Sequence, residues 1–261
     1  MRLRIDVALD YHFPAPADVL LAVEAAQLPD QQLVEDRLVV DGANGPLKPV
    51  AGEDGIGRRT WLTAEGRFSA TYRATVDVQR QAAPLDTLPI CPLAALPPEA
   101  IPYLWPSRYC EADKFEAFVE GRFGRLAGGA KLLAMRDWIR NEMDYAPGSS
   151  DTTTTAADAF VARQGVCRDY AHLMATFARA AGVPARLTSC YAWGLKPPDF
   201  HAVVEVWLDG GWHFLDATGL APAEGLVRIG VGRDATDIAF MTIFGSAVMN
   251  SQNVVVTRLD A

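Results

Sequence analysis

The sequence predicts an α+β protein, in which an N-terminal antiparallel β domain precedes a second domain of helices packed on an antiparallel sheet. Apolar and polar side chains alternate near both ends of the first 80 residues, which is the period of half-buried strands. Apolar residues then recur at helical spacing between residues 128 and 182, and strand-like runs follow. The 261 residues, 50% of them hydrophobic, suffice for two modest domains with apolar cores.

Two alternating stretches define the N-terminal domain, which we place at residues 1–83. The first stretch has its apolar side chains on one face: Leu3, Ile5, Val7, Leu9, Tyr11 and Phe13. Residues 68–78 repeat the pattern, and the segment TAEGRF at 63–68 predicts a hairpin turn before them. A stiff connector is predicted at residues 84–106, which hold seven of the seventeen prolines. The second domain then covers residues 107–261.

Charge and composition narrow the function classes. The net charge is −8, the sequence pI is about 5.0, and Lys and Arg form no run, which disfavours a nucleic-acid partner. No apolar stretch approaches the roughly 18 residues that cross a membrane, and Asp6 and Asp10 interrupt the first apolar run. We therefore expect a cytoplasmic protein with no signal peptide and no membrane partner. Its cysteines are expected to be free thiols: Cys91, Cys110, Cys167 and Cys190.

Helical patterns open the second domain. Residues 128–146 carry an apolar stripe, and Pro147 and Gly148 are expected to end that helix. The segment SSDTTTTAADAF at 149–160 predicts a loop that enters a short helix capped by a threonine. The next helix, GVCRDYAHLMATFARAAG at 165–182, is amphipathic and is expected to end at its last glycine.

Cys167 lies in the first turn of this amphipathic helix. Backbone N–H groups without helical partners and the positive end of the helix dipole favour a thiolate there. The same N–H groups can hold the oxyanion of an acyl-transfer intermediate. A cysteine at such a position can also be a small core residue, so the nucleophile hypothesis requires a base within reach.

His201 is the histidine with the best placed partner. The Asp-Gly pair at 209–210 predicts a two-residue type I′ hairpin between HAVVEVWL and WHFLDAT. In that register Val203 opposes Asp216, so His201 and Asp216 are diagonal neighbours on one face, roughly 7–8 Å apart at Cα. The opposite face is apolar and core-facing, and His213 points to that side. An aspartate beside a histidine can fix its tautomer and stabilise the imidazolium.

Three motifs in this order resemble the core of the bacterial transglutaminase-like superfamily, which covers transglutaminases and papain-related cysteine hydrolases. They are GVCRD at 165–169, HAVVEV at 201–206 and LDAT at 215–218. The resemblance implies a papain-like transglutaminase core. It also implies that Cys167 is the nucleophile, His201 the base and later the acid, and Asp216 the residue that orients His201. The N-terminal region is similar to the small β domain that often precedes this core in bacterial members.

On this resemblance we expect a thiol-dependent acyl-transfer enzyme. It would act through a thioester on peptide or side-chain amides of a peptide or protein substrate, without a cofactor or a metal. Water as acceptor gives a cysteine peptidase or amidase, which we favour because water is always present, and an amine gives a transglutaminase. A non-catalytic peptide-binding module and a zinc site built from Cys, His and Asp are the alternatives. Gln164, Tyr191 and Trp193 are candidates for the cleft on proximity, whereas Arg168 and Asp169 are assigned no chemistry.

Overall fold

The computed structural model describes residues 1–81 and 83–260 as two antiparallel sheets, a short parallel strand pair and helices packed against the second sheet. The strands in chain order are β1 (Arg2–Glu24), β2 (Gln31–Ala43), β3 (Lys48–Ala51), β4 (Arg58–Val78), β5 (Asp144–Tyr145), β6 (Gln164–Gly165), β7 (Ala185–Ala192), β8 (Phe200–Leu208), β9 (Gly211–Leu215), β10 (Leu226–Gly232), β11 (Met241–Phe244) and β12 (Val248–Arg258). The helices are α1 (Glu116–Phe123), α2 (Gly128–Glu142), α3 (Ala156–Ala162), α4 (Cys167–Ala180) and α5 (Ala235–Ile238).

The first sheet combines strands from both ends of the chain. Its order is β11–β1–β4–β2, with β12 also pairing with β1 and β3 with β4. The apolar face predicted from alternation is buried at each position that defined it: Leu3, Ile5, Val7, Leu9, Tyr11 and Phe13. The division of the chain into residues 1–83, 84–106 and 107–261 stays a prediction, and the topology adds that β11 and β12 complete the N-terminal sheet.

The hairpin turn predicted at 63–68 is wrong, because β4 runs through this segment without a break. Gly66 has a positive φ of 71° and lies opposite Phe13 of β1. The register between the two strands shifts between Phe13 and Ala17. The glycine therefore allows a local irregularity that bends the long strand pair, as β-bulges do, and does not reverse the chain.

The second sheet has the order β10–β7–β8–β9, and its last two strands form the predicted hairpin. Asp209 and Gly210 have φ values of 48° and 79°, as a type I′ turn requires. Leu208 pairs with Gly211 and Val204 with Leu215, so the predicted register is confirmed. This register brings the start of β8 and the end of β9 to the same place.

Helix α4 lies between the second sheet and the helices α1, α2 and α3. Every residue from Asp169 to Arg179 is buried, so the amphipathic pattern does not translate into a solvent-exposed face. His172, on the polar side of the pattern, is 0% exposed and packs its ring against Tyr109 at 5.1 Å between centroids. The helix is therefore a central element of the second domain.

The two sheets pack against each other on the side away from α4. Tyr191, Val227 and Ile229 from β7 and β10 belong to the same buried cluster as the apolar face of the first sheet. The second sheet is thus covered on both faces, which rigidly positions the residues at its edges. Over residues 1–81 and 83–260, we find no helix that is both long and apolar enough to span a bilayer.

Candidate active site

Cys167 begins α4, and the residues around it fix where the helix starts. The Asp169 carboxylate accepts a hydrogen bond from the backbone N–H of Val166 at 2.8 Å. Gly165 leaves room for this aspartate, because a Cβ at position 165 would lie 2.6 Å from the Asp169 Cβ. The glycine and the aspartate of the GVCRD motif therefore hold the thiol at the positive end of the helix.

Arg168 ties the helix start to the loop that precedes α3. Its guanidinium donates to the Ser150 hydroxyl at 3.0 Å and to the Asp151 carbonyl at 2.8 Å. The Ser150 hydroxyl in turn donates to the Asp169 carboxylate at 2.5 Å. These contacts give Arg168 and Asp169 positions that support Cys167 and do not touch the other candidate residues.

His201 lies near the start of β8, and only 2% of its surface is exposed. Its Nε2 is 3.0 Å from Oδ2 of Asp216, which leaves Nδ1 as the nitrogen that can serve Cys167. Burial lowers the pKa of His201, but the hydrogen bonds and negative charges of Asp216 and Cys167 outweigh burial and raise this pKa to about 9. The imidazole is therefore protonated at neutral pH.

Asp216 follows β9 directly and is held by its own turn. The backbone N–H and the hydroxyl of Thr218 donate to its Oδ1 at 2.8 and 2.7 Å, and the N–H of Ala221 donates to its Oδ2 at 3.3 Å. Burial raises the pKa of Asp216, but the contact with His201 and these hydrogen bonds outweigh it and lower this pKa. An ionised carboxylate thus faces a protonated imidazole.

A cleft of about 610 Å³ opens on Cys167 and His201. One wall comes from the start of α4 and from the loop with Arg108 and Tyr109. The first sheet also lines the cleft, through residues 241–243 of β11 and Gln252 of β12. The N-terminal sheet, which supplies none of the three candidate catalytic residues, therefore takes part in the site by lining its cleft.

Tyr145 is a neighbour of Cys167 that the sequence analysis did not single out. It lies in β5, which pairs with β6 directly before α4, so that Tyr145 is aligned with Gly165. Burial and the charge of the neighbouring Cys167 raise the pKa of Tyr145 to about 12. A protonated phenol at this place can donate a hydrogen bond to the reacting atoms. The helical pattern of residues 128–146 predicts that Tyr145 belongs to a helix, but α2 ends at Glu142 and Tyr145 lies in β5.

The three residues suggested for the cleft on proximity do not line it in the described chain. Gln164 is exposed in β6. Tyr191 is fully buried in the core between the two sheets, where its phenol donates to the carbonyl of Val23. Trp193 packs against the same core. The side chains of Tyr191 and Trp193 pack on the side that meets the N-terminal strands, which proximity along the chain could not reveal.

The positions of the candidate residues do not suit a metal. His201 contacts Asp216 through one ring nitrogen and leaves the other for Cys167, so the three side chains form a row and do not surround a point. Within the part of the chain that the structure describes, no group of three or more His, Cys, Asp or Glu side chains could hold a metal ion.

A family model and a solved structure are similar to this chain over the region that contains the candidate site. A family model described as the transglutaminase-like superfamily matches residues 119–217, a range that contains Cys167, His201 and Asp216. The whole fold is similar to the crystal structure of a protein from Cytophaga hutchinsonii that is named as a candidate cysteine protease. The TM-score is 0.92 at 37% sequence identity, and the match covers 100% of this chain and 91% of that chain. The chain belongs to the transglutaminase-like superfamily.

Curated relatives of this superfamily member come from mycobacteria. An uncharacterised protein of Mycobacterium leprae is 30% identical over 145 residues, which are 52% of this chain and 52% of the relative. An uncharacterised protein of Mycobacterium tuberculosis is 29% identical over 133 residues, which are 45% of this chain and 42% of the relative. The chain thus spans about half the length of these relatives. The predicted α+β class, with an N-terminal antiparallel sheet before a transglutaminase-like core, is confirmed.

Proposed function

We propose that this chain is a thiol-dependent acyl-transfer enzyme that hydrolyses peptide or side-chain amides, that is, a cysteine peptidase or amidase. The observation that carries the proposal is the 3.0 Å contact between Asp216 and the buried imidazole of His201, whose pKa is raised to about 9 beside the thiol of Cys167. A protonated imidazole next to a cysteine favours the thiolate. The similarity to the Cytophaga hutchinsonii structure, named as a candidate cysteine protease, supports the same class.

In this mechanism Sγ of Cys167 attacks the amide carbonyl carbon and the C–N bond breaks. The proton on Nδ1 of His201 passes to the departing amine, which leaves a thioester and a neutral imidazole. His201 then takes a proton from water, whose oxygen attacks the thioester, releases a carboxylic acid product and restores the thiolate and imidazolium. Asp216 stays ionised and keeps the imidazole in place. We assign the oxyanion to the unpaired backbone N–H groups at the start of α4, with the hydroxyl of Tyr145 as a further candidate donor.

Alkylation by iodoacetamide tests the thiolate–imidazolium pair, with each labelled cysteine located by mass spectrometry. The chain supplies its own controls: Cys91 is partly exposed, whereas Cys110 and Cys190 are buried and burial raises the pKa of both thiols. At pH 6 we expect Cys167 to react at least about tenfold faster than Cys91, and His201→Ala to remove this difference. His12→Ala, at an exposed position of β1, is the matched control and should leave it intact. Equal rates for Cys167 and Cys91 in the unmodified protein would refute the pair.

The fate of the thioester distinguishes hydrolysis from transfer to an amine. After reaction with an activated ester such as 4-nitrophenyl acetate, intact mass spectrometry follows the acetylated protein, and Cys167→Ala is the control that forms no thioester. Hydrolysis predicts that the acetyl group decays at a rate that hardly changes when a primary amine is added. A decay that accelerates in proportion to the amine, with acetylated amine as product, would assign the chain to the transglutaminases instead. Absence of any acetyl-enzyme with Cys167 intact would favour a peptide-binding module.

A further inference from the structure

In the described parts of the chain, no strand lies beside the edge of the first sheet that borders the Cys167 cleft. Strand β11 is the last strand of its sheet and pairs with β1 on one side only, within the ranges 1–81 and 83–260. Its residues 241–243 line the same cleft as Cys167 and His201. A free strand edge exposes backbone donors and acceptors that can pair with another extended chain.

The hydrogen-bond pattern tells which residues of β11 offer these groups. The N–H of Ala22 donates to the carbonyl of Phe240 at 2.8 Å, which makes this a hydrogen-bonded pair of the antiparallel ladder. Such pairs alternate along a ladder with pairs whose N–H and C=O groups point outward. In the observed register Leu21 is aligned with Met241, so Thr242 again bonds to β1 while Met241 and Ile243 direct their N–H and C=O groups to the free edge.

The surroundings of this edge suit an extended chain. The side chains of Met241 and Ile243 pack against the core of the first sheet, which fixes the backbone of β11. The ring of Phe240 stacks on that of Phe200 at 4.4 Å between centroids, directly before His201. The edge is therefore rigidly joined to the strand that carries the imidazole. Ala235, Ile238 and Ala239 continue the apolar lining of the cleft beside it.

We propose that the substrate is an extended, mainly apolar peptide segment that binds as an additional strand on the free edge of β11 and thereby presents an amide carbonyl to Cys167. This inference rests on the proposed acyl-transfer function and specifies its substrate. The backbone groups of Met241 and Ile243 recognise the peptide main chain, and the apolar lining receives alternate side chains. A peptide segment held in a helix offers no free main-chain groups and is excluded.

The test uses a peptidyl chloromethyl ketone, an acetylated four-residue peptide of alanine and leucine, which alkylates a cysteine with loss of chloride. A series of probes carries a methyl group on one backbone nitrogen at a time. The rate of Cys167 labelling is compared with that by iodoacetamide, which needs no strand pairing. Strand pairing predicts that methylation at alternate nitrogens slows labelling by about tenfold, because one hydrogen bond is lost, while methylation at the nitrogens between them has little effect. Equal rates across the series would overturn the proposal.

A pair of variants tests the edge from the side of the protein. Ile243→Pro removes an outward N–H but no hydrogen bond to β1, and proline is tolerated at such edge positions. Ile243→Ala also loses the apolar side chain but keeps the N–H, so it is the matched control. We expect Ile243→Pro to react about tenfold more slowly than Ile243→Ala with the peptidyl probe, and both to react equally with iodoacetamide. Equal peptidyl rates in the two variants would contradict pairing with β11.

Labelling by iodoacetamide distinguishes failure of the proposed function from failure of the strand-pairing inference. If iodoacetamide does not label Cys167 preferentially in the unmodified protein, the proposed function itself fails and the inference falls with it. If iodoacetamide labels Cys167 but neither the methylated probes nor the proline variant shows the expected pattern, the enzyme proposal stands and only the strand-pairing inference is wrong. Should Ile243→Pro not fold, the methylated series on the unmodified protein still decides.

Discussion

The carboxylate of Asp216 contacts three neighbouring residues. One oxygen accepts from the N–H and hydroxyl of Thr218, and the other faces Nε2 of His201 and the N–H of Ala221. The turn residue and the orienting residue are therefore the same side chain. Its position depends on a local turn, whereas its effect is exerted on a residue of the neighbouring strand.

We expect Asp216→Asn to keep the turn and to impair the imidazole. Asparagine can still accept from Thr218, but it brings no negative charge, so the pKa of His201 falls and the imidazolium is lost near neutral pH. Amide hydrolysis should drop by about 10³- to 10⁴-fold, measured as the rate of product formation with a fixed peptide. Asp137→Asn, in an exposed pair with Arg136 on α2, should keep full activity. An active Asp216→Asn would show that the charge is not needed.

His172 illustrates the opposite effect of burial on an imidazole. Its Nε2 accepts a hydrogen bond from the N–H of Ala235 at 3.1 Å, and burial lowers its pKa to about 3. Because the unfolded chain binds a proton near pH 6.5 and the folded chain does not, this group makes stability decline as the pH falls below about 6.5. His201 affects folding stability in a different pH range. Its pKa of about 9 in the folded protein lies above the unfolded value, so its contribution to stability is fully present below pH 6.5 and is lost as the pH rises through 9.

We therefore expect His172→Gln, which retains an acceptor for Ala235 and cannot titrate, to reduce the loss of stability in acid. Between pH 7 and pH 5 the difference in unfolding free energy attributable to His172 is about 2 kcal/mol. Urea unfolding at both pH values measures it, and most carboxylates do not titrate in this range. The same pH dependence in variant and unmodified protein would show that His172 takes up its proton without unfolding.

At the level of secondary structure, the start of α4 determines where the thiol of Cys167 lies. Two residues that take no part in the proposed reaction fix this helix start. Gly165 admits the buried Asp169, and Asp169 caps the N–H of Val166. The hairpin β8–β9 fixes the positions of His201 and Asp216 relative to each other, because its two-residue turn sets the register of the two strands. Each half of the candidate site is thus fixed by one local structure.

We expect Gly165→Ala to disturb the helix start, since the added Cβ would lie 2.6 Å from the Asp169 Cβ. Such overpacking typically destabilises by about 1–3 kcal/mol, and preferential alkylation of Cys167 should be lost with it. Gly121→Ala in α1 is the control, because its Cβ meets nothing within 4 Å. Alanine there should stabilise by about 0.5–1 kcal/mol and leave Cys167 reactive. Thermal unfolding and iodoacetamide labelling report both effects, and unchanged labelling of Gly165→Ala would argue against this role.

The two sheets are joined at the scale of the whole molecule by a buried carboxylate. Glu205 of β8 is 0% exposed and accepts hydrogen bonds from Arg186 of β7 and from Arg228 of β10 at 2.9 and 2.8 Å. Burial raises the pKa of Glu205, but the two guanidinium groups outweigh it and lower this pKa. Arg228 also bonds to Asp30 and Arg186 to Asp54, which lie in the segments that connect β1 to β2 and β3 to β4 of the N-terminal sheet. The network therefore links the sheet that carries His201 to the sheet that walls the cleft.

We expect Glu205→Gln to destabilise the whole protein by about 3–5 kcal/mol, because two buried guanidinium groups lose their shared counter-charge. The free energy of unfolding in urea measures the effect. Asp10→Asn, which removes the partner of the 82% exposed Arg67, should hardly change stability. A similarly small effect for both substitutions would mean that other groups compensate the buried arginines.

Local patterns in the sequence determined much of the candidate site. The alternation in residues 3–13 predicted the buried face of β1, and the Asp-Gly pair predicted the register that makes His201 and Asp216 diagonal neighbours. Such predictions succeed because strand period, turn type and helix start depend on residues that are close in the chain. The segment 63–68 shows the limit: a glycine with positive φ signals a break in regular backbone but not whether the chain reverses or continues.

Only the tertiary structure decided what surrounds those local features. The polar side of α4 is buried because α1, α2, α3 and the second sheet enclose it. Strand β11 borders the cleft of Cys167 because residues 241–244 pair with β1. Tyr145 reaches Cys167 through a two-residue parallel pairing that leaves no pattern in the sequence. The sequence by itself determined the class of fold and the family. Contacts between residues far apart in the chain, which no local period encodes, determined the shape of the cleft.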